Sequence, residues 1–280
     1  MATAGKQSGN DLALDITARR KRIAEMVSDE QFASIQELAK LFGVSNVTIR
    51  NDIDALSRER HGLLRVRGGV LSRQMPYGET PYERRSREHV EDKQAIGRAA
   101  AAMIRSNDTA ILDVGTTTMA IAEALVQRTD LDHTVIFTNG LNIALALEPA
   151  FPRITTVVTG GSLRPSDHSL VEPMSTLILE RIRAGIAFIG CNGVDPEFGV
   201  STTTLPEAAI KQAIMRSALR VIVVADGSKF GRNTLARVCG VAEIDTYLSA
   251  GYIEPSCARQ MSELGVRIEN VRPSTTPSEE

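Results

Sequence analysis

Residues 111–125, ILDVGTTTMAIAEAL, set an apolar run, a glycine and three threonines before an amphipathic stretch. This order predicts a strand, a tight loop and a helix, and a loop of this kind can hold a phosphate. Gly115 lets the backbone approach an anion closely, and the following helix offers free N–H groups. Thr116, Thr117 and Thr118 add hydroxyl donors. The same residues also fit an ordinary strand-to-helix turn with a threonine cap, so the loop alone leaves both interpretations open.

Similar small and polar residues end four other predicted strands. They are Thr138-Asn139-Gly140, Thr159-Gly160-Gly161-Ser162, Cys191-Asn192-Gly193 and Ala225-Asp226-Gly227-Ser228-Lys229. Lys229 can pair with a phosphate, and Asp226 and Asp113 can accept hydrogen bonds from sugar hydroxyls. The combination favours a ligand site over a set of ordinary turns.

The elements that must position these residues are five short apolar runs that alternate with amphipathic stretches. The predicted strands are TAILD (109–113), TVIFT (134–138), ITTVVT (154–159), IAFIG (186–190) and RVIVVA (220–225). The predicted helices lie around 117–128, 140–147, 174–183 and 205–218. Strands separated by helices predict an α/β fold with a Rossmann-like parallel sheet covered on both faces. Such sheets bind ligands beyond the carboxyl ends of their strands, which here all lie on one side.

A separate helical pattern precedes this region. SIQELAKLF (34–42) begins with a Ser-x-x-Glu capping box. Gly43 can supply a turn, after which Ser45 can cap NVTIRNDIDALSRE. With an earlier helix, ARRKRIAEMV, these segments predict three short helices in the geometry of a DNA-reading helix-turn-helix.

HGLLRVRGGVLSR (61–73) predicts a β-hairpin whose tip carries Arg65 and Arg67. A basic hairpin beside a helix-turn-helix fits the DNA backbone or a minor groove. A generic helical bundle that binds protein is the alternative, but the order of capping box, turn and hairpin favours DNA. The candidate DNA contacts are Ser45, Asn46, Thr48, Arg50, Asn51, Arg65 and Arg67. Ser45 and Thr48 could equally be only capping groups.

The composition is that of a globular protein with two domains, since 42% of the 280 residues are hydrophobic and 24% are charged. Residues 17–73 hold eleven Lys or Arg and seven Asp or Glu, so this segment is +4 and the remainder −6, for a net charge of −2. Nucleic acid is one explanation for this asymmetry, and chance surface polarity is the other. Dispersed cysteines and histidines predict no metal site and indicate reduced thiols in a cytoplasm. No cofactor, membrane span or signal peptide is expected.

The expected organisation is a disordered tail (1–15), a winged helix-turn-helix domain (16–73), a linker (74–92), an effector-sensing domain (93–270) and a second disordered tail (271–280). The linker is predicted from two prolines, a glycine and dense charge. The tails are predicted from their polar composition.

VSNVTIRNDIDAL, followed by LLRVRGGV, resembles the DeoR/GlpR-type bacterial transcriptional regulators. The chain departs from the family pattern at Asn51, where arginine is usual, and at Arg67, where histidine is common. Glu172 also stands where glycine is common, and Gly185 where aspartate is common. The resemblance covers roughly residues 17–250 and continues through DVGTTT, TNGLNIA, VVTGGSLR, GCNGVDPEFGVS, EAAIK and ADGSKFGR.

The resemblance implies a winged helix-turn-helix joined to a sensor domain of the fold shared with ribose-5-phosphate isomerases and CoA transferases. It also implies a phosphorylated sugar or related metabolite as effector, and a cytoplasmic repressor of carbohydrate-catabolism genes. The implied effector contacts are Asp113, Gly115, Thr116, Thr117, Thr118, Asn139, Gly160, Gly161, Lys211, Asp226 and Lys229. The implied partners are double-stranded operator DNA, the effector and further copies of the chain in a homodimer or homotetramer.

A sugar-phosphate isomerase-like enzyme is the alternative function. Such enzymes carry an acidic Asp-Gly-Ala-Asp-Glu motif at one strand end, whereas the comparable stretch here is IGCNGVDPEFG. Cys191 lacks an identifiable histidine partner, and Glu207 remains a conceivable base. Glu207 and Lys211 can also form only an exposed i,i+4 ion pair, worth about 0.3–0.5 kcal/mol. With a DNA-reading unit attached, we expect a sensor without catalytic residues.

Overall fold

A computed structural model of the chain describes residues 16–30, 32–58, 63–66, 69–72 and 82–273. The described residues form two compact units, one up to residue 72 and one from residue 82 onward. The predictions for residues 1–15, Arg67 and residues 274–280 lie outside the described residues.

The described part of the first unit contains helices and a small antiparallel sheet. Its elements are α1 (Ile16–Glu30), β1 (Phe32–Ser34), α2 (Ile35–Phe42), α3 (Asn46–Arg58), β2 (Leu63–Val66) and β3 (Gly69–Ser72). The predicted hairpin is formed by β2 and β3, which pair Leu63 with Ser72 and Val66 with Gly69. Strand β1 adds to β3. It escapes prediction because three residues are too few to show an alternating pattern.

Helix α2 is fixed at both ends by local hydrogen bonds. The Ser34 hydroxyl accepts from the Glu37 amide at 3.1 Å, and the Glu37 carboxylate accepts from the Ser34 amide at 3.3 Å. The predicted capping box is therefore confirmed. Gly43 ends the helix at a φ of 63°, a left-handed conformation that favours glycine. The turn brings α2 and α3 together over one core, whose fully buried members include Ile23, Val27, Ile49 and Ile53.

The second unit alternates strands and helices along the chain. Its elements are α4 (Tyr82–Arg87), α5 (Val90–Ala102), β4 (Thr109–Leu112), α6 (Thr116–Val126), β5 (Thr134–Thr138), α7 (Leu141–Leu147), β6 (Ile154–Val158), β7 (Ser162–Arg164), β8 (Ser169–Val171), α8 (Met174–Leu179), β9 (Ile186–Gly190), β10 (Gly193–Asp195), β11 (Gly199–Thr202), α9 (Leu205–Arg216), β12 (Val221–Asp226), β13 (Ala236–Cys239), β14 (Thr246–Ala250), α10 (Pro255–Glu263) and β15 (Ile268–Val271). The five predicted strands and four predicted helices are all present, with ends that shift by a few residues.

A seven-stranded parallel sheet organises the unit, in the order β15-β14-β12-β9-β4-β5-β6. The α/β fold is thus confirmed, with all carboxyl ends on one side. Alternate residues of the central strands enter two cores, one with α5, α6 and α7 and the other with α8, α9 and α10. Strand β14, TYLSA, is buried along its whole length. It escapes prediction because its threonine and serine interrupt the apolar run.

Two smaller antiparallel sheets belong to the described part of this unit: β7 with β8, and β10 with β11 and β13. Their strands have three or four residues each, which is too short for a reliable alternation signal. They matter for the site because the turn between β7 and β8 carries Asp167, and β11 ends at Thr202.

The second unit begins earlier than the predicted boundary at residue 93. Residues of the predicted linker form α4 and the start of α5. Some of the charged residues that predicted a linker have partners inside the unit, because Arg85 pairs with Asp167. Lys93, one residue beyond the predicted linker, donates to backbone carbonyls. At the other end, Val271 pairs with Ala250 in the sheet rather than starting a tail.

Helices α5 and α6 pack so closely that one position requires glycine. A Cβ at Gly97 would lie 2.4 Å from the carbonyl oxygen of Ala120. Because that neighbour is backbone, it cannot rotate away, and the helices would have to separate.

We therefore expect Gly97→Ala to lower the free energy of unfolding by about 1–3 kcal/mol through overpacking. Urea denaturation measures this change. Gln94→Ala, on an exposed part of the same helix, is the matched control and should leave stability nearly unchanged. Equal midpoints for the two variants would contradict the close helix contact.

Candidate functional site

A polar cleft lies at the carboxyl ends of β4, β9 and β12, where the sequence predicts a ligand site. Helix α6 starts at its floor, and α9 and the turn between β7 and β8 also contribute side chains. The lining residues are Arg85, Lys93, Val114, Gly115, Thr116, Thr117, Asp167, Gly190, Cys191, Asn192, Glu207, Lys211 and Lys229.

The loop after β4 presents the start of α6 to this cleft. The Asn139 side-chain oxygen accepts from the Val114 amide at 2.9 Å, which fixes the loop from the next strand. The Thr118 hydroxyl, in the first turn of α6, donates to the Gly115 carbonyl at 3.1 Å, so it is engaged within the turn. Gly115, Thr116 and Thr117 line the cleft. The first amides of a helix lack intrahelical acceptors, so they are available to an anion.

Lys211 and Asp113 form a buried ion pair beneath the cleft. The same Asp113 oxygen accepts from the Gly190 amide at 3.1 Å. Burial works to lower the pKa of Lys211, but the charges of Asp113 and Glu207 hold that pKa above its usual value. The interpretation of Glu207 and Lys211 as only an exposed ion pair is wrong. Both side chains are buried, and the Lys211 ammonium contacts Asp113.

Glu207 is a buried carboxyl beside a second carboxyl. The Thr202 hydroxyl donates to it at 2.9 Å, and Arg164 Nε lies 3.9 Å away. Burial, reinforced by the charge of Asp167, raises the pKa of Glu207 to about 7. Asp167 is itself paired with Arg85. Glu207 can therefore be protonated or ionised near neutral pH, and it can exchange hydrogen bonds with a ligand hydroxyl in either form.

Two lysines bring positive charge to the cleft and form no ion pair with any carboxylate that the structure describes. Lys93 Nζ donates to the carbonyl oxygens of Arg85 and Glu88, the latter at 2.5 Å. Burial lowers the pKa of Lys93, against the charge of Asp226. Among the described residues, no carboxylate lies within ion-pair distance of Lys229. These ammonium groups and the α6 N-terminus together favour an anionic ligand.

The structure brings together only part of the implied effector set. Gly115, Thr116, Thr117, Lys211 and Lys229 line the cleft, whereas Asp113, Thr118, Asn139, Gly160, Gly161 and Asp226 do not. Those outside have structural roles. A Cβ at Gly161 would lie 2.2 Å from the Val171 carbonyl oxygen, and the Asp226 carboxylate accepts from the Ser228 amide at 3.1 Å.

Asn192 follows a predicted strand end and lines the cleft as expected, but sequence reasoning did not assign Arg85, Lys93 or Asp167 to this site. Arg85 lies in the predicted linker and Lys93 just after it, and Asp167 lies in a short hairpin turn, so no predicted strand end points to them. Cys191 also lines the cleft, and burial raises the pKa of its thiol to about 12. This supports the expectation that Cys191 is not an activated nucleophile. No cluster of three or more His, Cys, Asp or Glu suited to a metal occurs among the described residues.

In the first unit, α3 displays polar side chains beside its start. The Ser45 hydroxyl accepts from the Thr48 amide at 3.1 Å and lies 2.9 Å from the Thr48 hydroxyl, so Ser45 caps the helix and Thr48 supports the cap. Asn46, Arg50 and Asn51 are exposed. This face can meet base edges or phosphates in a groove.

Arg65 lies within β2 rather than at the tip of the hairpin. Its guanidinium donates to both carboxylate oxygens of Asp54 on α3, each at 2.8 Å. The hairpin is thereby tied to α3. Arg67, the other predicted arginine of the hairpin, lies outside the described residues.

The combination of a helix-turn-helix unit with a separate ligand cleft defines a DNA-binding transcriptional regulator. Residues 19–75 match the DeoR-like helix-turn-helix domain, and residues 88–249 match the DeoR C terminal sensor domain. The chain therefore belongs to the DeoR family of transcriptional regulators. No helix among the described residues is long and apolar enough to cross a membrane.

Curated relatives match along nearly the whole chain. The HTH-type transcriptional regulator GlpR of Haloferax volcanii is 31% identical over 252 residues, which cover 89% of this chain and 96% of the relative. The glycerol-3-phosphate regulon repressor of Escherichia coli K12 is 32% identical over 231 residues, covering 82% and 88%. The putative aga operon transcriptional repressor of Escherichia coli O157:H7 is 31% identical over 264 residues, covering 93% and 96%.

The raised pKa of Glu207 predicts a pH dependence of stability. The folded state retains a proton that the unfolded state releases between pH 4.5 and about 7. The protein should therefore lose stability as pH rises through this window, by up to about 3 kcal/mol. Glu207→Gln cannot ionise and should lack this loss. Urea denaturation of both proteins at pH 5 and pH 8 measures it, and equal pH slopes would contradict the burial of an ionisable Glu207.

Proposed function

We propose that the protein represses carbohydrate-catabolism genes and that a phosphorylated sugar or related metabolite in the cleft modulates its operator binding. The observation that carries this proposal is the cationic cleft at the α6 N-terminus, on a unit joined to a helix-turn-helix. Within the part of the chain that the structure describes, Lys93 and Lys229 form no ion pair with a carboxylate, so a phosphate is the ligand group that best complements them. Glu207 and Asn192 line the same cleft and can meet sugar hydroxyls.

DNA binding is assigned to the exposed side chains of α3. Arg50 and Asn51 offer donors to base edges or phosphates, and Ser45 and Thr48 fix the start of the helix that presents them. The tied hairpin of β2 and β3 lies beside α3 and contributes Arg65 to the backbone contact. Operators with two half-sites need two readers, so the active form is a homodimer or homotetramer. The protein acts in the cytoplasm, where operator DNA is accessible.

Sensing is proposed rather than catalysis because the relatives of similar length are named as transcriptional regulators. A sensor needs differential affinity for its ligand in two states, and a coupling of about 1–3 kcal/mol changes occupancy 5- to 150-fold. The metabolite is proposed to weaken operator binding and so to relieve repression. A thermal-shift screen of sugar phosphates, followed by an assay of the best ligand for turnover, tests the choice. A stable complex without turnover is expected, and turnover would revive the enzyme alternative.

Arg50→Ala should abolish specific operator binding because it removes an exposed cation from the reading face of α3. The DNA is a duplex that the wild-type protein selects from a random-sequence library, and a gel shift at several salt concentrations measures binding. Wild-type affinity should fall steeply with salt as phosphate contacts release counterions. Arg22→Ala, an exposed arginine on α1, is the control. Normal binding by Arg50→Ala would show that α3 is not the reader.

Lys229→Ala should leave operator binding intact and make it unresponsive to the sugar phosphate found in the screen. Loss of a charge-assisted hydrogen bond should weaken the ligand about 10-fold or more. Calorimetry with the purified protein measures the ligand, and the gel shift measures the response. Arg259→Ala, on an exposed face of α10, removes the same charge elsewhere in the unit. If operator binding by Lys229→Ala still responded fully to the sugar phosphate, the phosphate would not bind at Lys229.

A further inference from the structure

We infer that Arg85 and Lys93 recognise the phosphate of the ligand and at the same time hold α4, so that binding in the cleft changes how α4 is attached. This inference rests on the proposed function, because it assigns residues and a structural consequence to effector binding. Neither residue belongs to the contacts implied by the family resemblance.

Arg85 has donors to spare for a ligand. Its guanidinium pairs with Asp167 through one terminal nitrogen, yet its Nε is buried and has no acceptor among the described residues. Arg85 lines the cleft. A guanidinium binds phosphate through two parallel hydrogen bonds, a geometry for which Asp167 supplies only one partner here. A phosphate that reaches this point therefore competes with Asp167 for Arg85.

Lys93 joins the cleft to the C-terminal end of α4. Its ammonium donates to the carbonyl oxygens of Arg85 and Glu88, which lie within the last turn of α4 and just after it. An ammonium has three donors, so one remains for the cleft that Lys93 lines. A phosphate held by this third donor shares the ammonium with the two carbonyl oxygens, so occupancy of the cleft changes the contacts that hold this end of α4.

Polar contacts are what hold α4, because none of its residues is buried. Beyond the contacts of Arg85 and Lys93, the Tyr82 amide donates to the Ser166 carbonyl at 3.3 Å. The Tyr82 and His168 rings meet edge to face with centroids 5.3 Å apart, and His168 Nε2 lies 3.4 Å from the Glu83 carboxylate. These contacts are exposed or half-buried and individually weak. A ligand that engages Arg85 and Lys93 therefore changes a large share of what fixes the helix.

The position of α4 in the chain gives this change a consequence. It is the first described element after β3, and nine residues separate Ser72 from Tyr82. A change at α4 therefore acts where the chain leaves the first unit and enters the second. Signal transfer through α4 needs no rearrangement of the buried sheet, whose strands are held by continuous pairing.

Two variants should change phosphate affinity in opposite directions. Asp167→Asn removes the competitor of the phosphate while keeping the side-chain size, and it should tighten glycerol 3-phosphate and inorganic phosphate by about 3- to 10-fold. It should also raise hydrogen exchange in residues 82–92 without ligand, as phosphate does in the wild type. Arg85→Gln should weaken both probes about 10-fold or more, and Arg85→Lys should recover part of the affinity. Arg84→Gln, its exposed neighbour on α4, should bind as the wild type does.

Calorimetry with the full chain measures affinity, and hydrogen exchange followed by mass spectrometry measures α4. If both probes bind in a manner that depends on Lys229 while the Arg85 and Asp167 variants keep wild-type affinity and exchange, the inference is wrong and the proposed function stands. If neither probe nor any sugar phosphate of the screen binds the wild type, both fail.

Discussion

The buried ion pair between Asp113 and Lys211 is the interaction on which the sensor unit depends. It joins the end of β4 to α9, and the Gly190 amide at the end of β9 bonds to the same carboxylate. Removing one member of such a pair leaves an uncompensated buried charge, which costs about 3–5 kcal/mol. The pair therefore fixes the relative positions of the elements that form the cleft floor, and it removes Lys211 from the charges available to a ligand.

The same principle operates in the DNA-binding unit. Asp52 of α3 is buried and receives hydrogen bonds from Arg19 at 2.7 Å and from Arg20 at 2.9 Å, both on α1. The buried side of α3 is thereby locked by charge as well as by apolar packing. Arg50, on the exposed side of the same helix, makes no ion pair within the described residues. A helix that contacts DNA bases needs an exposed outer face. Its rigid inner face helps binding, because a helix that is already ordered loses less conformational entropy when it binds DNA.

Some cationic side chains of the cleft are paired with carboxylates inside the protein, and others are not. Lys211 is neutralised by Asp113, and Arg85 is half-committed to Asp167 with its Nε unsatisfied. Lys93 and Lys229 form no ion pair with a carboxylate of the described residues. Because some cations of the cleft remain without an ion pair, the cleft can attract an anion although it also contains carboxylates. We infer that occupancy also acts beyond the cleft, since Arg85 and Lys93 contact α4 as well as the cleft.

The sequence by itself determined the class of fold and predicted two recognition surfaces. Apolar runs such as IAFIG, the capping box before α2 and the loop at Gly115 are local signals, and the structure has each of them as predicted. Short strands, and β14 with its polar residues, carried too weak a periodic signal. Strand runs, helix caps and tight loops depend mainly on residues that are close in sequence, so the sequence predicts them without knowledge of the tertiary structure.

Only the tertiary structure decided which charges face the cleft. Lys211 seemed available from the sequence but is bound to Asp113, 98 residues earlier in the chain. Arg85 reads as a linker charge but lies in the cleft beside Asp167, 82 residues away. Burial and pairing set the protonation and availability of each group, and both depend on distant segments that come together only on folding.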